Sequence, residues 1–170
     1  MTKLQIELRN GKVMNLELDE ENAPISCENF LKYVNDGFYN GTIFHRVIEN
    51  FMIQGGGFTD DEPGLREKKS TYSAIKGEFD MNGVKNPIKH KIGTISMART
   101  FIPNSATSQF FICVAPCDYL DGQYAAFGRL TDEESIKVAK EISEVKTHSW
   151  RGYDDIPDDP IVIKTIKVIE

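Results

Sequence analysis

Apolar and polar residues alternate strictly at the start of the chain. Leu4, Ile6 and Leu8 are separated by polar neighbours, and after Asn10-Gly11 the pattern repeats with Met14, Leu16 and Leu18. Period two places each set on one face of a strand, and Asn-Gly is a strong turn signal, so a β-hairpin is predicted. The period then changes. Cys27, Phe30, Leu31 and Val34 recur at helical spacing behind Pro24, a residue suited to a first helical turn, and Gly37 marks the expected stop. From Thr42 to Phe58 the pattern returns to β, with Thr42–Val47 and then Phe51–Gln54 running into Gly55-Gly56-Gly57.

The stretch from Thr59 to Lys91 is polar, with strand signals only at Tyr72–Ile75 and Gly77–Phe79. Strands are predicted again at Ile92–Met97, Ser108–Val114 and Ala125–Leu130. A second helix is predicted to open on a capping box of Thr131 and Glu134 and to run to Val145 over Ile136, Ala139 and Ile142. Lys146–Pro160 reads as an acidic surface loop, and Ile161–Ile169 as a last β-branched strand. Neither a repeat nor a linker interrupts the chain. Residues 1–170 are therefore read as one domain, all-β with two helices, a barrel or a sandwich.

Composition narrows the class. With 170 residues, 40% hydrophobic and 27% charged, the chain has the makeup of a folded domain with its own core. A net charge of -6 argues against a generic partner among nucleic acids or anionic membranes. The N-terminus carries no apolar run of signal-peptide type, and no stretch has the ~18 apolar residues of a membrane span. Three cysteines, Cys27, Cys113 and Cys117, cannot all pair within the chain, and free thiols point to a reducing, cytoplasmic setting. All ten Phe lie between Phe30 and Phe127.

Ordinary catalytic signatures are missing. Gly55-Gly56-Gly57 is followed by Phe58-Thr59-Asp60-Asp61 rather than Lys-Ser/Thr, so it reads as a strand end needing close backbone approach, not a phosphate loop. His45, His90 and His148 are scattered, and Cys113-x3-Cys117 has no second pair, so neither a metal nor another cofactor is expected. No Gly-x-Ser-x-Gly elbow occurs. Asp154, Asp155, Asp158 and Asp159 read as a solvated loop, with weak Ca2+ affinity as the alternative. Lys85, Lys89 and Lys91 read as an exposed basic face.

One segment is unusual. In Phe44-His45-Arg46-Val47 a cation stands among apolar strand residues, with Phe44 and Arg46 predicted on one face and His45 and Val47 on the other. Arg46 is either a snorkelling rim residue or a fixed donor in an apolar pocket. Gln109 lies in an otherwise apolar strand, on the same face as Phe111.

At these residues the chain resembles the cyclophilin family of peptidyl-prolyl cis-trans isomerases. Phe44–Gly56 is similar to its F-H-R-x-I-x-x-F-M-x-Q-G-G signature, with Val47 where Ile is common. Ser105–Ile112 and Leu120–Gly128 are similar to its S-Q-F-F-I and L-D-G-x-x-x-x-F-G blocks. The resemblance covers nearly the whole chain. It implies an eight-stranded antiparallel β-barrel capped by two α-helices, with a groove on its outer face that takes proline-containing polypeptides. Arg46 matches the catalytic arginine. Phe51, Met52, Phe111 and Leu120 match the proline pocket, and Gln54, Ala98, Arg99 and Gln109 match positions that contact the peptide backbone.

Departures sharpen the resemblance. Arg99 replaces an Asn common in eukaryotic members, and Tyr124 replaces a pocket histidine, a change that resembles bacterial cytosolic members. Tyr119 stands where many members have a Trp associated with cyclosporin, so weakened affinity for that drug is expected. The family's glycine-rich loop is recast as Asp60-Asp61-Glu62-Pro63-Gly64. The resemblance implies a monomer that isomerises X-Pro bonds in flexible chains. A non-catalytic proline-peptide-binding module would use the same pocket without needing Arg46, and a lipocalin-like carrier would need a hollow lumen instead of a filled one.

Overall fold

The first twelve-residue exchange of hydrogen bonds sets the architecture. In the computed structural model, which describes residues 1–61 and 64–170, β1 (Lys3–Leu8) and β2 (Val13–Leu18) pair antiparallel with Leu4 opposite Leu16 and Ile6 opposite Met14. Every alternate residue of both strands is buried. Their turn spans Arg9–Lys12: Gly11 adopts φ +91°, Leu8 N–H donates to Lys12 O, and the Asn10 side chain accepts from Lys12 N–H.

Pro24 opens α1 (Pro24–Asn35) as expected, but Ala23 provides no side-chain cap. Glu78 caps the helix from a distant segment. Its buried carboxylate accepts from Ile25 N–H (3.1 Å), Ser26 N–H (2.6 Å) and the Ser26 hydroxyl (2.7 Å), satisfying donors that a helix N-terminus leaves open. Phe30 of α1 then meets Tyr39, Phe110 and Phe127 at ring separations of 5.2–5.5 Å.

There follow β3 (Phe44–Ile48), β4 (Met52–Gly55), β5 (Phe58–Asp61) and β6 (Gly64–Glu67). After them come β7 (Thr94–Met97), β8 (Phe110–Cys113) and β9 (Ala126–Leu130). Then α2 (Glu133–Ser143), β10 (Thr147–Trp150), β11 (Tyr153–Pro157) and β12 (Ile163–Val168) complete the chain. Eight strands form one curled antiparallel sheet in the order β12-β1-β2-β9-β7-β8-β4-β3. Its two edges meet. Ile43 bridges Val162, Gly41 N–H donates to Ile163 O, Ile163 N–H to Thr42 O, and Phe44 N–H to Ile161 O. The interior is filled by side chains, Leu4, Ile6, Met14, Leu16, Phe30, Phe110 and Phe127 among them, each with no more than 1% of its surface exposed.

Three expectations need correction. Asp132, not Thr131, caps α2. Asp132 has extended backbone and accepts from Ser135 N–H at 2.8 Å, while the Thr131 hydroxyl turns to Asn15 O. Lys146–Pro160 is not a plain loop, since β10 and β11 form a hairpin whose turn residues Arg151 and Gly152 take φ of 48° and 87°. Most of its side chains face solvent, so no apolar alternation betrays it. Ile156 and Pro157 are buried, Ile156 against Ile43, Phe58 and Leu65, with Trp150 packed beside. Finally, β3 carries a β-bulge between Phe44 and Arg46, with Phe44 opposite Gly55 and Arg46 opposite Gln54. The extra residue breaks strict alternation. Phe44 and Val47 both enter the core, so Phe44 and Arg46 do not share a face as predicted. The recast loop is a β5–β6 hairpin with Asp61 opposite Gly64, whereas Glu62 and Pro63 lie outside the described residues.

Candidate active site

The bulge aims Arg46 outward, onto the face of the sheet away from the core. From there one row of side chains crosses four strands. Arg46 on β3 pairs with Gln54 on β4, Gln54 with Phe111 on β8, and Phe111 with Ser96 on β7. Because outer-face positions recur every second residue, Met52 and Cys113 form the next pair along. The tight β3–β4 turn, with Asn50 at φ 62°, delivers Phe51 to the same side.

These residues border a depression of about 260 Å³. Its floor and walls come from Phe51, Met52, Ala98, Phe111, Leu120 and Tyr124, and its polar edge from Arg46, Gln54 and Arg99. Nine of the eleven residues singled out in the sequence thus meet at one place. Gln109 and Tyr119 stand beside it. Gln109 bonds to Gln54, and the Tyr119 ring, 62% exposed, lies 6.0 Å from that of Phe51.

Hydrogen-bond logic orients the polar edge. Arginine is a donor only, so Gln54 must turn its carbonyl oxygen toward Arg46. Arg46 Nη1 donates to Gln54 Oε1 at 3.3 Å, and Gln54 Nε2 then donates to Gln109 Oε1 at 3.0 Å. Among the described residues no carboxylate is within ion-pair distance of Arg46. Its charge is therefore free to act on whatever occupies the depression. The glycine run makes room for this edge: a Cβ on Gly57 would collide with the Gln109 side chain, and one on Gly56 would press Phe110 and Tyr39 at 2.8 Å. Close approach, not phosphate binding, explains these glycines.

Arg99 acts differently from Arg46. Its guanidinium is sandwiched between the rings of Phe79 (4.8 Å) and Tyr124 (4.5 Å) and donates to the carbonyls of Gln123 and Thr100. It clamps the wall of the depression by tying the 99–105 loop to the 119–124 loop.

Behind Phe111 lies a set that sequence reading left without a role. The His90 ring stacks on Phe111 at 6.0 Å and 14°, donating through Nδ1 to Asp121 Oδ1 (2.9 Å) with Nε2 against Ser96 Oγ (2.9 Å). An ionised carboxylate only accepts, which puts the ring proton on Nδ1. Burial lowers the His90 pKa, and the Asp121 hydrogen bond only partly offsets this, so the ring is neutral at neutral pH. The connectivity is that of a Ser-His-Asp triad, yet His90 and Ser96 have 0% of their surface exposed, so no substrate carbonyl can reach the hydroxyl. The set braces Phe111. Asp121 within Leu120-Asp121-Gly122 was the one available signal for it.

Among the described residues no hydroxyl of Ser or Thr, thiol, amine or carboxylate lines the depression. Burial pushes the Cys113 thiol upward, and all three cysteines are free and buried. Burial, with the nearby Arg46 charge, lowers His45 to about 4, and its ring packs over Phe58 at 4.3 Å. Among the described residues no group of three or more His, Cys, Asp or Glu side chains is placed to hold a metal, and no helix is long and apolar enough to cross a membrane.

Comparison with known proteins agrees with this geometry. Residues 3–168 match the family model described as cyclophilin type peptidyl-prolyl cis-trans isomerase/CLD. The chain is 49% identical to peptidyl-prolyl cis-trans isomerase A of Dickeya dadantii, over 92% of this chain and 80% of that protein. It is 44% identical to peptidyl-prolyl cis-trans isomerase cyp18 of Streptomyces antibioticus over 99% of both. A solved cyclophilin-type isomerase of Cryptosporidium parvum matches with a TM-score of 0.80 at 30% identity, covering 99% of this chain and 98% of that one. A second structure of that protein, in the presence of the dipeptide Ala-Pro, matches at 0.77 and 28%, covering 99% of both chains. With the family model spanning almost every residue and the curled eight-stranded sheet carrying its signature arginine outward, this chain belongs to the cyclophilin-type peptidyl-prolyl cis-trans isomerase family.

Proposed function

We propose that the chain accelerates rotation about X-Pro peptide bonds in unfolded or flexible polypeptides, with Arg46 as the catalytic donor. The observation that carries this reading is a cation that has no carboxylate partner among the described residues, held by Gln54 at the edge of an apolar depression.

The reaction breaks no covalent bond. Its barrier is the loss of amide resonance, about 18–20 kcal/mol, and uncatalysed exchange takes tens to hundreds of seconds. Turnover near 10^3 s⁻¹ needs a gain on the order of 10^5, or about 7 kcal/mol. As the bond twists, the prolyl nitrogen becomes pyramidal and gains a lone pair. A guanidinium donor can bond that lone pair, which the planar ground state does not offer, so the interaction favours the transition state alone. One such preorganised donor contributes about 3–4 kcal/mol. The remainder comes from the grip on the substrate: Phe51, Met52, Phe111 and Leu120 hold the proline ring, while Gln54, Gln109 and the backbone near Ala98 and Arg99 hold the flanking chain.

The test is an isomerase assay on a proline tetrapeptide, by protease coupling or NMR exchange. Arg46→Ala is expected to fold normally and lose about 10²–10³-fold in kcat/KM. A folded Arg46→Ala enzyme with near wild-type rates sinks the assignment, and a wild type without acceleration leaves only proline-peptide binding. Three free thiols support a reducing, cytoplasmic setting and the chain is read as a monomer. Tyr119 in place of a tryptophan, with its hydroxyl turned to Cys117 Sγ at 3.7 Å, supports weakened cyclosporin affinity.

A further inference from the structure

The loop that follows Arg99 is built inside out. Its polar groups bond one another: Thr100 N–H and hydroxyl donate to Ser105 Oγ (3.0 and 2.9 Å), Ser105 Oγ donates to Ile102 O (2.7 Å), and Ile102 N–H donates to Thr100 Oγ1 (3.2 Å). Asn104 Oδ1 anchors the loop to its neighbour by accepting from Gly77 N–H and Asn82 Nδ2. The apolar side chains point the other way. Phe101 is 90% exposed and Ile102 52%, and Met81, next to the Asn82–Asn104 bond, is 76% exposed. A loop pinned by six side-chain hydrogen bonds of this kind has no need to hold a phenylalanine in water for its own stability.

Its position supplies a reason. Phe101 lies two residues from Arg99, which belongs to the polar edge of the depression, and Met81 N–H donates to Gly122 O on the loop that carries Leu120 and Tyr124. The apolar rim thus begins two residues beyond the pocket and is tied to the loop that supplies two of its lining residues. An extended polypeptide advances about 3.3 Å per residue, and two residues of loop span at most about 7 Å, so the rim is within reach of side chains roughly two to four residues from a seated proline.

We propose that Phe101, Ile102 and Met81 form a second contact surface for the client polypeptide, one that selects prolines with a bulky apolar residue two to four positions away. The proposal rests on the isomerase reading of the neighbouring pocket. The same client chain is the occupant because the rim stands on segments joined directly to the loops that line that pocket. Three side chains fall short of the roughly 800 Å² per partner that a stable dimer buries.

Two ten-residue peptides test it, one with Leu three residues from its proline and one with Ser there, alongside a tetrapeptide too short to reach the rim. Wild type is expected to favour the Leu peptide by about five- to tenfold in kcat/KM, mostly through KM, as partial burial of a few apolar carbons predicts. The double variant Phe101→Ser/Ile102→Ser, altered only at exposed positions, is expected to lose that preference to within about twofold while keeping the tetrapeptide rate. Equal wild-type rates on the two long peptides, or a preference surviving in the double variant, overturn the proposal. So does a solution dimer that the double variant dissolves, since the rim then serves a second copy. NMR titration of both peptides reads the preference without chemistry. An enzyme silent on the tetrapeptide but still favouring the Leu peptide in binding refutes the isomerase reading and leaves the rim standing.

Discussion

Arg46 and Gln54 face each other across the β3–β4 ladder, with Nη1 of the arginine 3.3 Å from Oε1 of the glutamine. Since the guanidinium can only donate, this contact fixes the orientation of both carboxamides downstream of it. Gln54 is accordingly a positioning residue for the cation. Gln54→Leu is expected to lower kcat about 10–100-fold, with a smaller rise in KM from the lost grip on the flanking chain, because the guanidinium loses its guide while the apolar pocket stays. Gln54→Glu is expected to be as impaired, by giving Arg46 a carboxylate partner. Steady-state kinetics on both variants check this, and a drop confined to KM would assign Gln54 to binding alone.

Gly57 and Gln109 compete for one volume. Gly57→Ala is expected to displace the Gln109 side chain and cost about 1–3 kcal/mol of stability, with a fall in isomerase rate. Gln109→Ala in the same chain removes the atoms that collide. Urea unfolding of the two single variants and the double is expected to be strongly non-additive, the double being more stable than Gly57→Ala alone. Simple addition of the two costs would contradict the contact.

His45 makes stability depend on pH. Its pKa falls from an ordinary 6.5 to about 4, chiefly through burial and then through Arg46. Between those values the unfolded chain binds a proton that the folded chain refuses, so stability declines as pH drops from about 6.5 toward 4. The His45 share is about 3 kcal/mol. Buried His90 acts in the same direction. For Asp121 burial works against ionisation, but the hydrogen bonds from His90 prevail and hold its carboxyl low, so its contribution is lost only as pH falls further, through that lowered value. His45→Phe, which retains a ring over Phe58, is expected to flatten the decline between pH 7 and 4.5 in urea melts. An unchanged slope would remove His45 as its source.

Glu78 holds the start of α1 from 52 residues away. Glu78→Ala leaves two helix N–H groups and a buried hydroxyl without an acceptor, and is expected to cost about 2–4 kcal/mol. Glu78→Gln keeps one carbonyl oxygen and is expected to recover part of that loss. Chemical denaturation of both variants measures it, with the isomerase rate on the tetrapeptide serving as a check that the folded state is intact.

Much of this was legible in the residues. Alternation over Leu4–Leu18 marked the first hairpin, helical spacing behind Pro24 marked α1, and the signature blocks hold seven of the nine residues that line the depression. Those signals are local, or are carried by residue identity in a fixed order. The hairpin over Thr147–Pro157 went unread because its solvent-facing residues carry no apolar rhythm and its turn uses Arg151-Gly152. The α2 cap was misplaced by one residue because Thr131 and Asp132 are equally good caps on paper, and only the nearby Asn15 carbonyl draws the threonine away.

The sequence by itself determined the first hairpin, the place of the two helices and which residue types were on hand: a donor-only cation, two carboxamides and an apolar set. Only tertiary structure decided that they meet. A single extra residue in β3 turns Arg46 out of the core, strand order lines it up with Gln54, Phe111 and Ser96, and His90 with Asp121 fills in behind. Side-chain direction in a strand depends on register, and register is set by hydrogen bonds between segments far apart in the chain, which no local pattern encodes.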